Sequence, residues 1–562
     1  MPSRSRLHRQ SAIPVALLAL SLMSGCNKDN AEKPVTDVKK SFLFSDVTDK
    51  SGIDYKWTIP GSRPLNILQT IGNGCAFLDY DNDGNQDILL VGTQLALYKG
   101  DGKGGFTDVT KKLGLDKLTG HFLGCAVGDV DGDGYDDLFI SGYRTGILLK
   151  NERGERFADV TKQSGIKPQP WGTSCAFAET VPGSGKLDLY VGNYAVFGPN
   201  EVQLCKEGSL MTSCGPRYYK EIPGVFYRND GKGHFTDITK ATEAMPSRGR
   251  TLGVAFADFN GSGKPGLALA NDENPGDLFE PLQGTAPKYK NIGQSSSVAY
   301  DRDGNVHGGM GTDWGDFDND GKLDLFVATF YGEVKCLYKN NGDSSFSEVG
   351  IPTGLGALTS PYVAFGCKFI DYDNDGWLDI AIANGHVQDN IQEINHAATY
   401  LESFQLFRNR TTSPPGFEEV SGSCDPKAIR PIVGRGMASG DYDNDGRDDL
   451  LIVDSEGKPL LLHNDVSNGS HWLGVKLDGR KSNRDGYGAI LTLKSGGRTL
   501  VRHCHSDGSY LSASDKRVRF GLGASAKVDE LTVKWPSGEK TVYANPPSDK
   551  YISIVEGDKQ VH

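Results

Sequence analysis

The sequence has no basic stripe interleaved with aromatics, and its formal net charge is −12. A chain of that sign repels nucleic acid and anionic lipid unless its carboxylates are local and metal-filled, so a nucleic-acid partner is not expected. There is no activated-nucleophile motif, no HExxH and no dinucleotide loop. Two GSGK strings, Gly183 to Lys186 and Gly261 to Lys264, lack the full phosphate-loop pattern. Long apolar runs are also scarce. The one that stands out, Ala12 to Met23, is too short to span a bilayer as a helix. Hydrophobic residues make up only 37%, while glycine reaches 72 residues, a balance that favours short strands and tight turns over long helices.

The apolar run follows Arg4, Arg6 and Arg9 and leads into LMSGC, which ends at Cys26. Residues 1–25 therefore read as an export signal. LMSGC resembles the lipobox of bacterial lipoproteins, with Met23 in place of the usual leucine, and the resemblance implies lipidation of Cys26. Residues 26–40 are polar and charged, as a tether between lipid and domain would be. The expected location is the bacterial envelope, outer membrane or cell surface, with the lipid as the only membrane contact. Cys205 and Cys214 sit in an insertion containing glycine and proline, where export permits a disulfide. Cys75, Cys125, Cys175 and Cys367 each lie four residues before the start of an acidic loop. That shared register makes them equivalent small core residues.

The acidic loops dominate what remains. DYDNDG occurs three times, from Asp79, Asp371 and Asp441, and another Asp follows each copy. Aligned on this text, the chain resolves into seven units that start 50, 50, 79, 58, 55 and 70 residues apart. Those periods fit a four-stranded propeller blade plus insertions. Five loops carry Asp at positions 1, 3, 5 and 9 and Gly at 6. Two are eroded: Glu179 to Asp188 loses its middle carboxylates, and Asp258 to Gly266 ends in glycine. Both GSGK strings fall in these two loops. A strand such as FTDVT closes most units; none follows the seventh loop, whereas FSDVT (Phe44 to Thr48) precedes the first. The expected fold is all-β: a seven-bladed propeller over residues 41–468 whose N-terminal strand completes the last blade and removes an exposed sheet edge.

Four carboxylates in nine residues repel one another unless a cation sits among them. Six to eight hard oxygen ligands suit Ca²⁺ better than Mg²⁺. About five Ca²⁺ sites are expected. Their carboxylate ligands are Asp79, Asp81, Asp83 and Asp87; Asp129, Asp131, Asp133 and Asp137; Asp316, Asp318, Asp320 and Asp324; Asp371, Asp373, Asp375 and Asp379; and Asp441, Asp443, Asp445 and Asp449. Position 7 would add a backbone carbonyl from Asn85, Tyr135, Lys322, Trp377 or Arg447. An EF-hand is excluded because position 12 is Leu90, Ile140, Val327, Ile382 or Ile452 instead of Glu. The pattern resembles the calcium-binding FG-GAP repeats of integrin-type propellers.

From about Gly469 to Gly557 the text changes to strands with polar turns and no acidic loops, which reads as a small all-β domain. SNRDGYGA, SYLSASD, FGLG and WPSG resemble the ASPIC/UnbV domain, and HGGMGTDWGDFDNDGKLDLFV and ANGHVQDN resemble CRTAC-like proteins. The resemblance implies secretion, calcium binding, a propeller and a role in adhesion or matrix contact, but no known reaction. Other polar groups stay open to two readings. His503 and His505 share a strand face and form either a metal pair or core. His307 and His386 either line the propeller mouth or order their loops. Asn483, Arg484 and Asp485 form either a recognition surface or a self-fixing turn. The expected function is non-catalytic binding of a protein or glycan ligand, against a glycan lyase or hydrolase at the propeller mouth, or a scaffold in an envelope complex.

Overall fold

Short strands separated by tight turns pair with their chain neighbours, so each repeat builds one antiparallel sheet. The computed structural model describes residues 42–242, 249–284, 286–411 and 415–562. In the first unit Cys75–Leu78, Asp87–Leu90, Ala96–Gly100 and Phe106–Asp108 pair in chain order. The same plan recurs in units beginning at His121, Gln169, Thr251, Thr312, Ala364 and Gly434, which makes seven among the described residues. In the second unit one long strand, Asp137–Asn151, serves twice: it pairs first with His121–Gly128 and then with Phe157–Asp159. It also touches Gln169–Ala178, which joins the second and third sheets.

The last unit takes its outer strand from the other end of the chain. Phe44–Asp46 pairs antiparallel with Leu460–Asn464, with Phe44 opposite Asn464. The first strands of successive units pack against one another in order, and Gly434–Gly440 packs against Cys75–Leu78. The ring is therefore closed, and the fold is a β-propeller. Cys75, Cys125, Cys175 and Cys367 lie buried on these inner strands, where burial pushes the Cys75 thiol up to about 12.

The C-terminal region forms two sheets. Val518–Gly523, His471–Asp478 and Tyr551–Val555 make one, with the last pair parallel. Arg498–His503, Ile490–Ser495, Glu530–Lys534 and Lys540–Ala544 make the other. These strands are the small all-β region that the sequence suggests over 469–557, and they pack with the propeller: residues 42 to 562 lie in one compact unit. Leu473, Val475 and Phe520 share a buried cluster with Phe139, Phe177 and Leu189 of the second and third propeller units. Each fully buried side chain of this size contributes about 1.5–3 kcal/mol.

The junction goes deeper than a shared face. The inner strands turn one edge toward the ring axis, and their buried backbone groups need partners. The segment from Asp507 to Asp515 supplies them and contacts every unit. Ala513 donates to the Cys75 carbonyl (3.0 Å), and Leu511 accepts from the Cys125 N–H (3.1 Å). The Leu511 N–H donates to Ser174 Oγ (2.9 Å), and Asp507 accepts from Phe256 (2.8 Å). Ser509 exchanges backbone bonds with Thr312, and its hydroxyl accepts from Cys367 (3.2 Å). Asp515 donates to Ser439 (3.0 Å). Gly74 makes room for this segment, since a Cβ there would lie 1.8 Å from the Leu511 carbonyl oxygen. Tyr510 is fully buried at the tip, edge-on to Phe365 (4.9 Å between centroids), and donates to the Ile71 carbonyl (2.8 Å).

Scanning calorimetry of the calcium-loaded protein should therefore show one cooperative transition, and two resolved transitions would contradict a shared core. Tyr510→Ala should lower the stability of the whole molecule by about 3–5 kcal/mol, as other buried aromatic truncations do.

Candidate metal centres

Every acidic loop follows the C-terminal end of an inner strand, and its backbone builds the same cage. One oxygen of position 1 accepts the N–H of Gly at position 6: Asp79 from Gly84 (3.1 Å), Asp129 from Gly134 (2.7 Å) and Asp371 from Gly376 (2.9 Å). Asp316 and Asp441 repeat the bond with Gly321 (3.0 Å) and Gly446 (2.7 Å). These glycines lie at φ between 86° and 91°, a region that side chains rarely adopt. The eroded loops keep the bond too, from Gly185 to Glu179 (3.0 Å) and from Gly263 to Asp258 (2.9 Å). Position 5 accepts from position 7, as Asp83 does from Asn85 (2.9 Å) and Asp375 from Trp377 (2.9 Å). The same turn forms at Asp133 and Tyr135, Asp320 and Lys322, and Asp445 and Arg447.

Position 9 works differently from the simple closing ligand that the spacing suggests. Its two oxygens accept separate backbone N–H groups, one from position 2 and one from the third strand. Asp87 takes Tyr80 (3.0 Å) and Gly100 (2.9 Å), and Asp449 takes Tyr442 (3.2 Å) and Asn464 (2.8 Å). Asp137, Asp324 and Asp379 repeat this arrangement. Burial pushes Asp87 up to about 8 against these hydrogen bonds. Position 9 is thus first a clamp between loop and third strand.

The third strand also brings a cation that the sequence reading missed. Lys99, Lys150, Lys339, Arg408 and His463 each face positions 3 and 5 of their loop. Lys99 pairs with Asp81 and lies 2.8 Å from Asp83; Arg408 lies 2.7 Å from Asp373, and His463 lies 3.1 Å from Asp443. Lys150 pairs with Asp131, and Lys339 with Asp318 and Asp320. Burial pushes Asp83 up, but Lys99 and the Asn85 N–H hold it below the usual carboxylate range. The hydrogen bond to Asp443 pushes His463 up to about 8. The available signal was position: each cation stands directly before the Gly or Asn that ends the third strand.

These side-chain cations do not exhaust the carboxylates. The contacts to Asp81, Asp131, Asp373 and Asp443 use Oδ2, and in each residue Oδ1 is buried without a hydrogen-bond partner. Asp79, Asp316 and Asp371 at position 1 also leave Oδ1 buried and unpaired. Oxygens of Asp79, Asp81 and Asp87 lie within 4.8 Å of one another, as do those of Asp129, Asp131 and Asp137 and those of Asp371, Asp373 and Asp379. Asp316, Asp318 and Asp320 make a further group, and in the seventh loop the convergent set is Asp443, Asp445 and His463. The first four groups supply only hard oxygen, the donor set that Ca²⁺ takes. The residues fit the metal.

Neighbouring loops are stitched together. Asn82 donates to the Gly134 carbonyl (2.8 Å), Asn319 to Gly376 (3.2 Å), Asn374 to Gly446 (3.1 Å) and Asn444 to Gly84 (3.5 Å). A second set runs backward from the third-strand asparagines. Asn151 reaches Tyr80 (2.8 Å), Asn229 reaches Val130 (2.7 Å) and Asn464 reaches Tyr372 (2.8 Å).

The C-terminal sheets cover this face. Lys476 lies 3.6 Å from Asp79 and Lys534 lies 3.5 Å from Asp258, while Tyr551 donates to Asp441 (2.7 Å). Asn483, Arg484 and Asp485 are therefore no open recognition surface. The Asn483 N–H donates to Glu179 (2.6 Å), Asp485 accepts from Asp129 (2.8 Å) and pairs with Lys516 (2.6 Å), and Arg484 pairs with Asp478 (2.7 Å). His503 and His505 stack face to face with centroids 3.9 Å apart, and His505 Nδ1 meets Asp507 (2.9 Å). Parallel rings do not aim their nitrogens at one shared point. His307 and His386 are buried: His307 meets the Tyr338 hydroxyl (3.1 Å), and His386 accepts from the Gln388 N–H (3.0 Å). Cys205 and Cys214 are joined, with Cα atoms 5.0 Å apart. Cys26, the signal over 1–25 and the tether over 26–40 lie outside the described residues.

Comparison with known proteins meets the same two parts. The model of the FG-GAP-like repeat matches residues 79–140 and 308–382, and that of ASPIC and UnbV matches 479–561. Cartilage acidic protein 1 of Xenopus tropicalis is 25% identical over 531 residues, covering 88% of this chain and 74% of the relative. The Homo sapiens protein of that name is 25% identical over 536 residues, covering 89% and 73%. Among solved structures, YCF48 from Cyanidioschyzon merolae gives a TM-score of 0.38 at 11% identity, over 74% of this chain and all (100%) of that one. The molecule is thus an FG-GAP-repeat propeller capped by an ASPIC/UnbV domain. The two matched models and the likeness to cartilage acidic protein 1 support a CRTAC-like family, which combines the two parts.

Burial, then Arg435, pushes His386 down from 6.5 to about 4, so between those values the unfolded chain binds a proton that the folded one excludes. Stability from this residue is complete above pH 6.5 and is lost as pH falls toward 4. In calcium-containing buffer, the urea midpoint of the wild type should drop relative to His386→Gln between pH 7 and pH 5. A constant difference would contradict this.

Proposed function

We propose that the protein is a calcium-stabilised, non-catalytic binding protein that recognises a protein or glycan ligand at a bacterial envelope, tethered there by lipid on Cys26. One observation carries the calcium reading: across five loops, Asp79, Asp81, Asp131, Asp316, Asp371, Asp373 and Asp443 hold buried carboxylate oxygens with no donor. A buried acceptor left in that state costs about 1–3 kcal/mol, and more if charged. Ca²⁺ among positions 1 and 3, with 5 and 9 behind them, would satisfy these oxygens. The ion would supply fixed positive charge; the residues hold the loop ready for it.

The binding reading is supported by the family and by what the cap leaves exposed. The relatives carry the name of cartilage, an extracellular matrix. The cap buries position 1 of the acidic loops and leaves only loop tips such as Asp83 and Asp133 exposed, so a macromolecular ligand would meet the opposite mouth or the propeller wall. Export and lipidation rest on the LMSGC text, and among the described residues no helix is long and apolar enough to cross a membrane.

Thermal unfolding of the protein from Asn27 onward, in Ca²⁺ and then in chelator, tests the calcium reading. Chelation should lower the melting temperature, and Ca²⁺ should restore it where Mg²⁺ does not. Each site held at 100 times its Kd contributes about 2.7 kcal/mol. Asp81→Asn and Asp373→Asn should each reduce the calcium stoichiometry by one, while Glu179→Gln leaves it unchanged. A melting temperature indifferent to complete metal removal would overturn the reading.

A further inference from the structure

On the face opposite the acidic loops, the N-terminal ends of the inner strands surround a cavity of about 210 Å³. Its floor is the tip of the axial segment, since Ile71 and Phe365, which line it, are the residues that Tyr510 packs under. Leu252, Met310, Phe330 and Val387 make its walls apolar. The disulfide hairpin at Cys205–Cys214 spans its rim. The hairpin leaves the third unit and is held at the sixth, where Asn390 donates to the Met211 carbonyl (2.8 Å) and Gln388 to Thr212 Oγ (3.2 Å).

The charged groups lining this cavity are all acidic: Asp272, Glu273 and Glu333. Glu333 is fixed by the Gly308 N–H (3.0 Å) and the Phe330 N–H (3.0 Å). Asp272 is only 7% exposed; one of its oxygens takes the Tyr194 hydroxyl, and among the described residues no donor reaches the other, Oδ1. The two carboxylates converge. A Cβ placed on Gly308 would lie 3.2 Å from Asp272 Oδ1 and 3.8 Å from Glu333 Oε2. Burial, with Glu273 and Glu333 nearby, pushes Asp272 up to about 7 against the Tyr194 hydrogen bond and the more distant Arg250. Glu273 is paired with Arg217 (3.0 Å), whereas among the described residues neither Asp272 nor Glu333 forms an ion pair. Cavities with apolar walls and a few fixed polar groups are the usual form of small-ligand sites.

We infer that this cavity binds a primary alkylammonium ion, its chain against Met310, Phe330 and Val387 and its ammonium between Asp272 Oδ1 and Glu333. An ammonium group has three donors and no acceptor, matching two converging carboxylates that form no ion pair among the described residues, although Arg250 and Lys335 stand further off. The same chemistry occurs in a free amine and in a lysine side chain. The inference rests on the binding-protein reading and gives it a locus, away from the covered loop face.

Titration calorimetry of the full chain in saturating Ca²⁺ tests it, with 1-hexylamine, 1-hexanol and Nα-acetyl-lysine methylamide as probes. Hexylamine should bind at one per chain, hexanol at least tenfold more weakly, and Asp272→Asn should lose at least tenfold in hexylamine affinity while keeping the calcium-loaded melting temperature. Binding of the lysine derivative as well would identify a peptide side chain as the source; hexylamine alone, a free amine. Failure of both amines to bind the wild type, equal affinity for hexanol, or an unchanged Asp272→Asn affinity overturns the proposal. Calcium-dependent melting measured on the same samples separates the two failures. No amine binding with the calcium response intact removes the cavity proposal alone.

Discussion

Seven inner strand edges facing one axis form the constraint on which the rest of the structure depends. Each presents backbone donors and acceptors that burial would leave unpaired, and a narrow axis has little room for ordered water. The segment from Asp507 to Asp515 resolves this by bonding to all seven units. Because it projects from the C-terminal sheets, those sheets must sit on the loop face. Both ends of the chain therefore finish the ring: Phe44–Asp46 closes the last blade from outside, and the axial segment closes it from within. Neither end can be removed without opening a sheet edge.

The carboxylates divide the work that a simple ligand count would give them jointly. Positions 1 and 9 fold the loop through backbone N–H groups, and this role survives in the eroded loops as the bonds of Glu179 and Asp258. Erosion removes the carboxylates of positions 3 and 5 in both loops and that of position 9 in the fourth, where Gly266 stands; positions 3 and 5 are what the third-strand cations address. The fourth unit shows the consequence: position 3 is Asn260, the third strand carries Glu280 where the others carry a cation, and Asn260 donates to it (3.1 Å). Side-chain cations and metal are thus complementary. The lysine, arginine or histidine holds Oδ2 of position 3, and Oδ1 of Asp81, Asp131, Asp373 and Asp443 stays buried and unpaired, where the proposed ion would bind.

The repeat period, the register of the acidic positions and the N-terminal swap were legible because each is written within one unit. The asparagine stitches were not, since Asn464 donates to Tyr372, 92 residues away, and nothing near Asn464 marks that partner. SYLSASD was legible as a motif but not as an axial segment. Its partners in six units are scattered from Cys75 to Ser439, and its polar composition reads locally as a surface turn. The same reasoning explains why Asn483 to Asp485 stayed open to two readings. Charged turns are usually solvated, but here Glu179 and Lys516 compensate them and let them be buried. His307 and His386 stand beside residues of the mouth in sequence, yet their rings point into the core.

Covering one face has a consequence for the other. An exposed ring of carboxylates would bind any polycation with little selectivity, because surface charge is screened within about 8 Å at physiological salt. Under the cap the position 1 carboxylates are buried, while Asp83, Asp133 and Asp320 at position 5 stay exposed at its edge. The mouth opposite keeps three acids in a walled cavity beneath a disulfide-braced hairpin. There a charge is worth more and is reached only by a group slim enough to enter.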